Sequence, residues 1–300
     1  MKILRTPEAR FEGIPDFPFA ANYHQITPDL RLHYVDEGPA DAPPVLMLHG
    51  EPTWSYLYRH MIGPIANAGL RALAPDLIGF GKSDKPAARE DYSYSGQVAW
   101  MRHWIEALDL RDITLLCQDW GSLIGLRLAA ESPQRFARIL LSNGGLPVGT
   151  GAPPAFKIWR AFSRYSPWFP IGRIVQTGTK RTLSAAEVAA YEAPFPASSY
   201  KVAARTYPSL VTVEADIPDV AKNLRAWEVF EQWQKPFICC FSNGDPITRG
   251  GDAQFRQRVP GAKGQPHTTL RGGHFIQEDD PQNFARMAIE ACGHKTGAQL

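Results

Sequence analysis

The stretch Ile113-Thr114-Leu115-Leu116-Cys117-Gln118-Asp119-Trp120-Gly121-Ser122-Leu123-Ile124-Gly125 decides the fold. It opens as a continuous apolar run, Ile113 to Cys117, the pattern of a strand buried on both faces. It continues as a helix, with Leu123, Ile124, Leu126 and Leu128 near helical spacing. A sharp turn joins the two, and Asp119 stands at its tip. Cys117 and Gly121 lie two residues to either side. A residue at such a strand-to-helix tip is held in a strained backbone conformation, which demands small neighbours and lifts its side chain clear of the sheet. An aspartate after a strand can also serve simply as a helix cap. The small flanking residues and the adjacent Trp120 favour the strained elbow. Its usual occupant is serine; here it is a carboxylate.

Outward from this elbow, strands alternate with helices. Leu30 to Val35 alternates apolar and polar residues, and Pro44 to Leu48 is apolar throughout. Thr53 to Ala68 has helical spacing and stops at Gly69. Arg71 to Ala74, Ile139 to Ser142, Phe237 to Phe241 and Thr268 to Leu270 read as further strands. Ser95 to Leu108 and Pro281 to Cys292 read as helices, and residues 1–29 as an irregular lead-in. Such alternation implies a mostly parallel sheet with right-handed crossovers. Between Gly144 and residue 225 the chain is rich in Gly, Pro, aromatics and helix-like fragments, with no strand pattern. That segment is too long for a loop and reads as an inserted helical cap. The expected division is a core of residues 1–145 and 236–300 with a cap of residues 146–235. Ligands in such sheets bind beyond the carboxyl ends of the strands, where a cap would roof the site.

Composition narrows the function. The 300 residues are 44% apolar, enough for one large α/β domain or two modest ones, and the net charge of +2 is spread along the chain. Nothing in that balance points to nucleic acid or a membrane. The N-terminal residues lack the apolar run of a signal peptide, and no stretch approaches a membrane span. The four cysteines (Cys117, Cys239, Cys240, Cys292) show no zinc spacing and read as reduced thiols of a cytoplasmic protein. Gly79 to Ser83 ends in Gly-Lys-Ser, but the first glycine of a phosphate loop falls at Asp76, which would repel phosphate. No metal-ligand spacing appears, and no cofactor is expected. Subunit number is not encoded in any of these features; a monomer is compatible with them.

The chemistry starts from Asp119. An aspartate side chain is ionised at neutral pH and attacks without a base. Displacing a leaving group from saturated carbon gives an ester, which water can cleave at the carbonyl. Serine would give an ether, which ordinary hydrolysis does not reverse. The aspartate elbow therefore suits alkyl transfer to water. His274, in Gly272-Gly273-His274-Phe275 after the last strand, is the candidate general base. Asp245, in Ser242-Asn243-Gly244-Asp245-Pro246, fits a turn but also the acid that orients the histidine. Asp252 is its nearest competitor. The order Asp119, Asp245, His274 is nucleophile, acid, histidine. Glu51 and Trp120 are the expected oxyanion-hole residues through their backbone N–H groups. The Trp120 indole can also hold a halide, since it donates and does not accept.

With these residues assembled, the chain resembles the α/β-hydrolase superfamily and, within it, the haloalkane dehalogenases. The resemblance rests on His49-Gly50-Glu51-Pro52-Thr53-Trp54, Gln118-Asp119-Trp120-Gly121, Asn243-Gly244-Asp245-Pro246 and Gly273-His274-Phe275-Ile276-Gln277-Glu278. It covers nearly the whole chain. It implies an α/β-hydrolase fold: a mostly parallel central sheet flanked by helices, with a helical cap. It also implies two-step hydrolysis of a carbon–halogen bond without cofactor, with a small apolar halogenated substrate and a halide ion as the partners. The branch with glutamate after His-Gly holds the halide between two tryptophan indoles. Trp120 matches the first; Phe156-Lys157-Ile158-Trp159 resembles the second, making Trp159 the choice and Trp168 the fallback. Asn143 stands where another branch places its acid, which supports Asp245. Cys117 at a usual small-residue position is a mild departure. The rival expectations are an epoxide hydrolase with the same aspartate, needing cap tyrosines such as Tyr165, Tyr191, Tyr200 or Tyr207, and a non-catalytic ligand-binding homologue.

Overall fold

The structure is a computed structural model and describes residues 1–294. Eight strands form one sheet: β1 (Asn22–Thr27), β2 (Leu30–Glu37), β3 (Pro44–Leu48), β4 (Arg71–Pro75), β5 (Ile113–Asp119), β6 (Phe136–Gly144), β7 (Phe237–Ser242) and β8 (Thr268–Leu270). Their spatial order is β1-β2-β4-β3-β5-β6-β7-β8. β2 runs antiparallel to β1 and β4, and every pairing from β4 to β8 is parallel. The sheet therefore reverses its winding near β3 and β5, whose carboxyl ends carry His49-Gly50-Glu51 and Asp119. That reversal is where a ligand crevice opens in sheets of this kind.

Alternate residues of the central strands feed two cores. Leu46, Leu48, Leu115, Cys117 and Leu141 face one side, and Val45, Met47, Leu116 and Leu140 the other. Helices α1 (Arg59–Asn67), α2 (Tyr94–Ala107) and α3 (Trp120–Glu131) come from the first half of the chain. Between β6 and β7 run α4 (Pro154–Tyr165), α5 (Ile171–Gly178), α6 (Ala185–Glu192), α7 (Val202–Leu210) and α8 (Val220–Phe230). The chain closes with α9 (Asp252–Arg258) and α10 (Pro281–Ala291). α1 and α10 cover the second face through Met61, Ile65, Phe284 and Ala288, while α2 and α3 cover the first. Caps fix several helix starts. Ser93 accepts from the Gly96 N–H ahead of α2, and Ser184 with Glu187 forms a capping box on α6. Within residues 146–235, α8 packs on α3, and its Trp227 stacks on Phe255 of α9.

Two elements differ from the sequence expectation. Asn22–Thr27 is the edge strand β1 rather than part of an irregular lead-in. It pairs on one side only and buries a single side chain, Ile26, so it lacks the apolar alternation that marks a strand. The helix expected from Thr53 starts at Arg59, after a short 3₁₀ turn, Ser55–Tyr58. The Asp76 carboxylate accepts from the Ser55 and Lys82 N–H groups and contacts His33 Nδ1, and this holds the connection in place.

A buried ionic cluster joins the 146–235 segment to α1 and to the segment that follows His274. Arg59 of α1 donates to Glu278 at 2.5 and 3.0 Å and to Glu187 of α6 at 2.8 Å. Arg181 and the Tyr191 hydroxyl also donate to Glu278. Glu278 lies four residues after His274, so the cluster anchors the end of the loop that presents that imidazole. Removing one partner from a buried pair leaves an uncompensated charge, which costs about 3–5 kcal/mol. Glu278→Ala is therefore expected to destabilise the protein by that amount, measured by urea denaturation; a loss under about 1 kcal/mol would show the cluster to be energetically idle.

Candidate active site

Asp119 ends β5 and precedes α3 with φ +50° and ψ −126°, a left-handed conformation that few non-glycine residues adopt. The close packing around it accounts for its neighbours. A Cβ at Gly121 would collide with the Leu48 carbonyl, and one at Gly50 with the Asp119 side chain. Cys117 is accommodated because its side chain points into the core, away from the turn.

The Asp119 carboxylate is held between two loops. Its Oδ1 accepts from the Glu51 N–H at 2.7 Å, and its Oδ2 lies 3.5 Å from His274 Nε2. Trp120, the first residue of α3, has an N–H that needs no intrahelical partner, and it lines the same cavity as Asp119. His274 Nδ1 lies 2.9 Å from Asp245 Oδ2. Asp245 is fully buried and accepts from the Ile247 N–H at 2.9 Å and from the Thr248 hydroxyl. The sequence candidates Asp119, Asp245, His274, Glu51 and Trp120 are thus brought to one point. Asp252 is not among them; it opens α9 and pairs with Arg256.

Two polar residues at this point were given no bracing role in the sequence reading, where Gln118 was only part of a motif and Asn143 only supported Asp245. The Gln118 amide donates to the His274 carbonyl at 3.1 Å and sits 3.0 Å from its Nε2. Asn143, at φ +30°, donates to the carbonyls of Gly273 and His274 at 2.9 Å each and accepts from the Ser242 N–H. Both are fully buried, and together they lock the histidine loop against the strand ends. From the other side, Gly178 at the end of α5 accepts the His274 N–H at 2.7 Å. A polar residue near a buried strand end is the only sequence signal for such a brace, and it does not say which loop is braced.

The electrostatics follow from burial and charge. Burial alone pushes the His274 imidazole down, but Asp245 and then Asp119 outweigh it and raise its pKa to about 10. Asp245 is likewise penalised by burial, yet the imidazole holds it well below the usual carboxylate range. At Glu51, burial and then the Asp119 charge push the carboxyl well above its ordinary value, which favours the neutral acid. Alkylating Asp119 would erase its charge and with it two of the causes that raise His274. The imidazole would then give up its proton at lower pH, becoming a base once an ester has formed. The expected result is an ester-hydrolysis step that accelerates with rising pH through a midpoint below about 10. Quenched-flow measurement of adduct decay checks this; a decay rate flat in pH would contradict it.

A cavity of about 1130 Å³ opens above Asp119, Trp120 and His274. Leu123, Leu146, Val148, Phe156, Trp159 and Phe162 are among its apolar lining. The Trp159 ring stacks on Phe169, and its indole reaches the Glu51 carboxyl. Trp168 also borders the cavity but is 63% exposed. Trp120 is 2% exposed, packed between Tyr94 and Tyr207. None of the four tyrosines that an epoxide hydrolase would need lines the cavity: Tyr165 is exposed, Tyr200 half-buried, Tyr191 donates to Glu278, and Tyr207 donates to the Ile78 carbonyl. Among the described residues no three His, Cys, Asp or Glu side chains gather as a metal would require, and no helix is long and apolar enough to cross a membrane.

A family model described as the alpha/beta hydrolase fold matches residues 43–281. A haloalkane dehalogenase of Mycolicibacterium paratuberculosis is 53% identical over 294 residues, covering 96% of this chain and 98% of that protein. One of Psychrobacter cryohalolentis is 50% identical over 296 residues, covering 97% and 98%. Among solved structures, the tetrameric haloalkane dehalogenase DpaA of Paraglaciecola agarilytica superposes with a TM-score of 0.89 at 34% identity, covering 99% of both chains.

Proposed function

The chain belongs to the haloalkane dehalogenases of the alpha/beta hydrolase fold, and from that premise we propose how its own residues carry out hydrolytic dehalogenation. The enzyme converts a haloalkane and water to an alcohol, a halide ion and a proton. Asp119 attacks the halogen-bearing carbon, forming a carbon–oxygen bond as the carbon–halogen bond breaks. The departing halide is taken by the indole N–H groups of Trp120 and Trp159. His274 then removes a proton from water, which attacks the ester carbonyl. The resulting oxyanion is held by the Glu51 and Trp120 N–H groups, and its collapse releases the alcohol from a regenerated Asp119. Asp245 orients the imidazole and balances its charge.

The observation that carries this reading is the placement of Asp119: one oxygen on the Glu51 N–H, the other 3.5 Å from His274 Nε2, in a strained elbow under an apolar cavity. Every residue in the scheme comes from one chain, so the scheme needs no second subunit. We place the protein in the cytoplasm because its four cysteines are free thiols, three of them buried. We also take residues 146–235 as the cap over the core. The test is a panel of chloro-, bromo- and iodoalkanes assayed for halide release beside styrene oxide. Halide release without epoxide opening supports the reading; the reverse would move the assignment to epoxide hydrolysis.

The choice between the two cap tryptophans gives a sharper result. Trp159 borders Glu51 and the cavity floor, whereas Trp168 is mostly in solvent. Removing one preorganised donor to a developing anion costs about 10²–10³ in rate. Trp159→Phe is expected to lower kcat/KM by about that much and to weaken bromide binding, while Trp168→Phe changes either by less than about threefold. Equal effects would reverse the assignment of the cap ligand.

A further inference from the structure

The cavity above Asp119 is polarised from floor to mouth. The acids among its lining residues, Glu51 and Asp119, lie on the floor. Its mouth carries Arg173, Lys180 and Arg249, all exposed. Arg173, Thr177 and Lys180 follow one another on the cavity side of α5 and just past its end. Arg249 also lines the cavity, from the loop that follows Asp245. None of these three cations forms an ion pair with an acid of this chain among the described residues. The neighbouring acids are engaged elsewhere: Asp279 accepts the Lys180, Arg181 and Gly273 N–H groups, and Asp252 pairs with Arg256. Arg173 sits in the first turn of α5, which has no acidic residue of its own; the Glu192 carboxylate that reaches this turn accepts the Gly172 N–H and pairs with Lys201.

We infer that the mouth is an anion subsite, and that this enzyme favours haloalkanes carrying a negative group, such as a carboxylate, at the end remote from the halogen. The inference rests on the dehalogenase reading of the same cavity. The Asp119 charge on the floor repels the acidic tail, and the three cations attract it, so the substrate enters halogen first. The apolar walls between them hold the methylene chain. Because the cations are exposed, salt screens them over about 8 Å at physiological ionic strength, and the preference is a low-salt effect at the lower end of electrostatic steering.

The test compares 1-bromoalkanes, ω-bromoalkanoates and ω-bromoalkyl trimethylammonium salts of matched and increasing length. The wild-type enzyme is expected to show a kcat/KM for the carboxylate about tenfold or more above that for the ammonium compound, shrinking as salt is added. In the Arg173→Gln/Lys180→Gln/Arg249→Gln variant that advantage disappears, while 1-bromoalkane turnover stays within about twofold and reports that the variant is folded. Equal rates for both charged tails in the wild type, or a preference that survives in the triple variant, would overturn the inference with the dehalogenase reading intact. A halide ion shares the anionic chemistry, so inhibition by bromide is measured in parallel. If the variant loses bromide inhibition but keeps the carboxylate preference, the cations serve the departing ion and the substrate proposal falls. Absence of bromide release from every compound would remove the dehalogenase reading itself.

Discussion

Asp119→Ala is expected to release no halide above background, a loss of at least about 10⁴-fold, while folding as the wild type does. The size of the effect follows from the chemistry. If the aspartate supplies the new bond to carbon, no other group at the site can replace it, and the remaining donors only stabilise an anion that is never formed. The fold is expected to survive because alanine keeps the backbone of the elbow and removes only the side chain that Gly50 makes room for. The Glu51 N–H loses its acceptor at Oδ1, at a cost of about 1 kcal/mol. Circular dichroism and halide detection on the same preparation check both halves. Halide release within tenfold of the wild type would mean that water attacks carbon directly.

His274→Gln is expected to give a different signature. Alkylation by Asp119 needs no base, so one equivalent of halide per enzyme should appear in a burst. The ester then persists, because the group that activates water is gone, and steady-state turnover falls by about 10²–10⁴ or more. Intact-protein mass spectrometry should show the added alkyl group on the peptide containing Asp119. The structure adds a reason for the separation of steps. Asp245 and Asp119 raise the imidazole pKa to about 10, which favours its protonated form before reaction, and in the proposed scheme alkylation of Asp119 removes part of that bias. A variant that neither bursts nor accumulates an adduct would place His274 in the first step and contradict this division.

Much of the site could be read from the chain because its signals are local. The small residues beside Asp119, the glycines before His274 and the turn at Asp245 each lie at the end of a recognisable strand. The fold fixes which strand ends meet. The order of the sheet puts β3 and β5 side by side, which brings Glu51 to Asp119. What was not legible depends on tertiary partners. Gln118 and Asn143 lie just past the strands read at Ile113–Cys117 and Ile139–Ser142, and only the folded loop shows that both hold the His274 carbonyl. β1 escaped notice because an edge strand with one buried residue has no apolar period. Trp159 and Trp168 occupy similar aromatic surroundings in sequence; their exposures differ because Trp159 packs against Phe162 and Phe169. α8 carries the same helical pattern as its neighbours, yet it lies against α3, tied by the Arg127–Asn223 hydrogen bond.

The central claim is that a carboxylate oxygen of Asp119, not water, first bonds to the substrate carbon. Single turnover in water enriched with oxygen-18, with enzyme in excess over a bromoalkane, tests it most directly. The account predicts that the heavy oxygen enters the Asp119 carboxylate and that the alcohol carries ordinary oxygen. Label in the alcohol with none in the Asp119 peptide would contradict it.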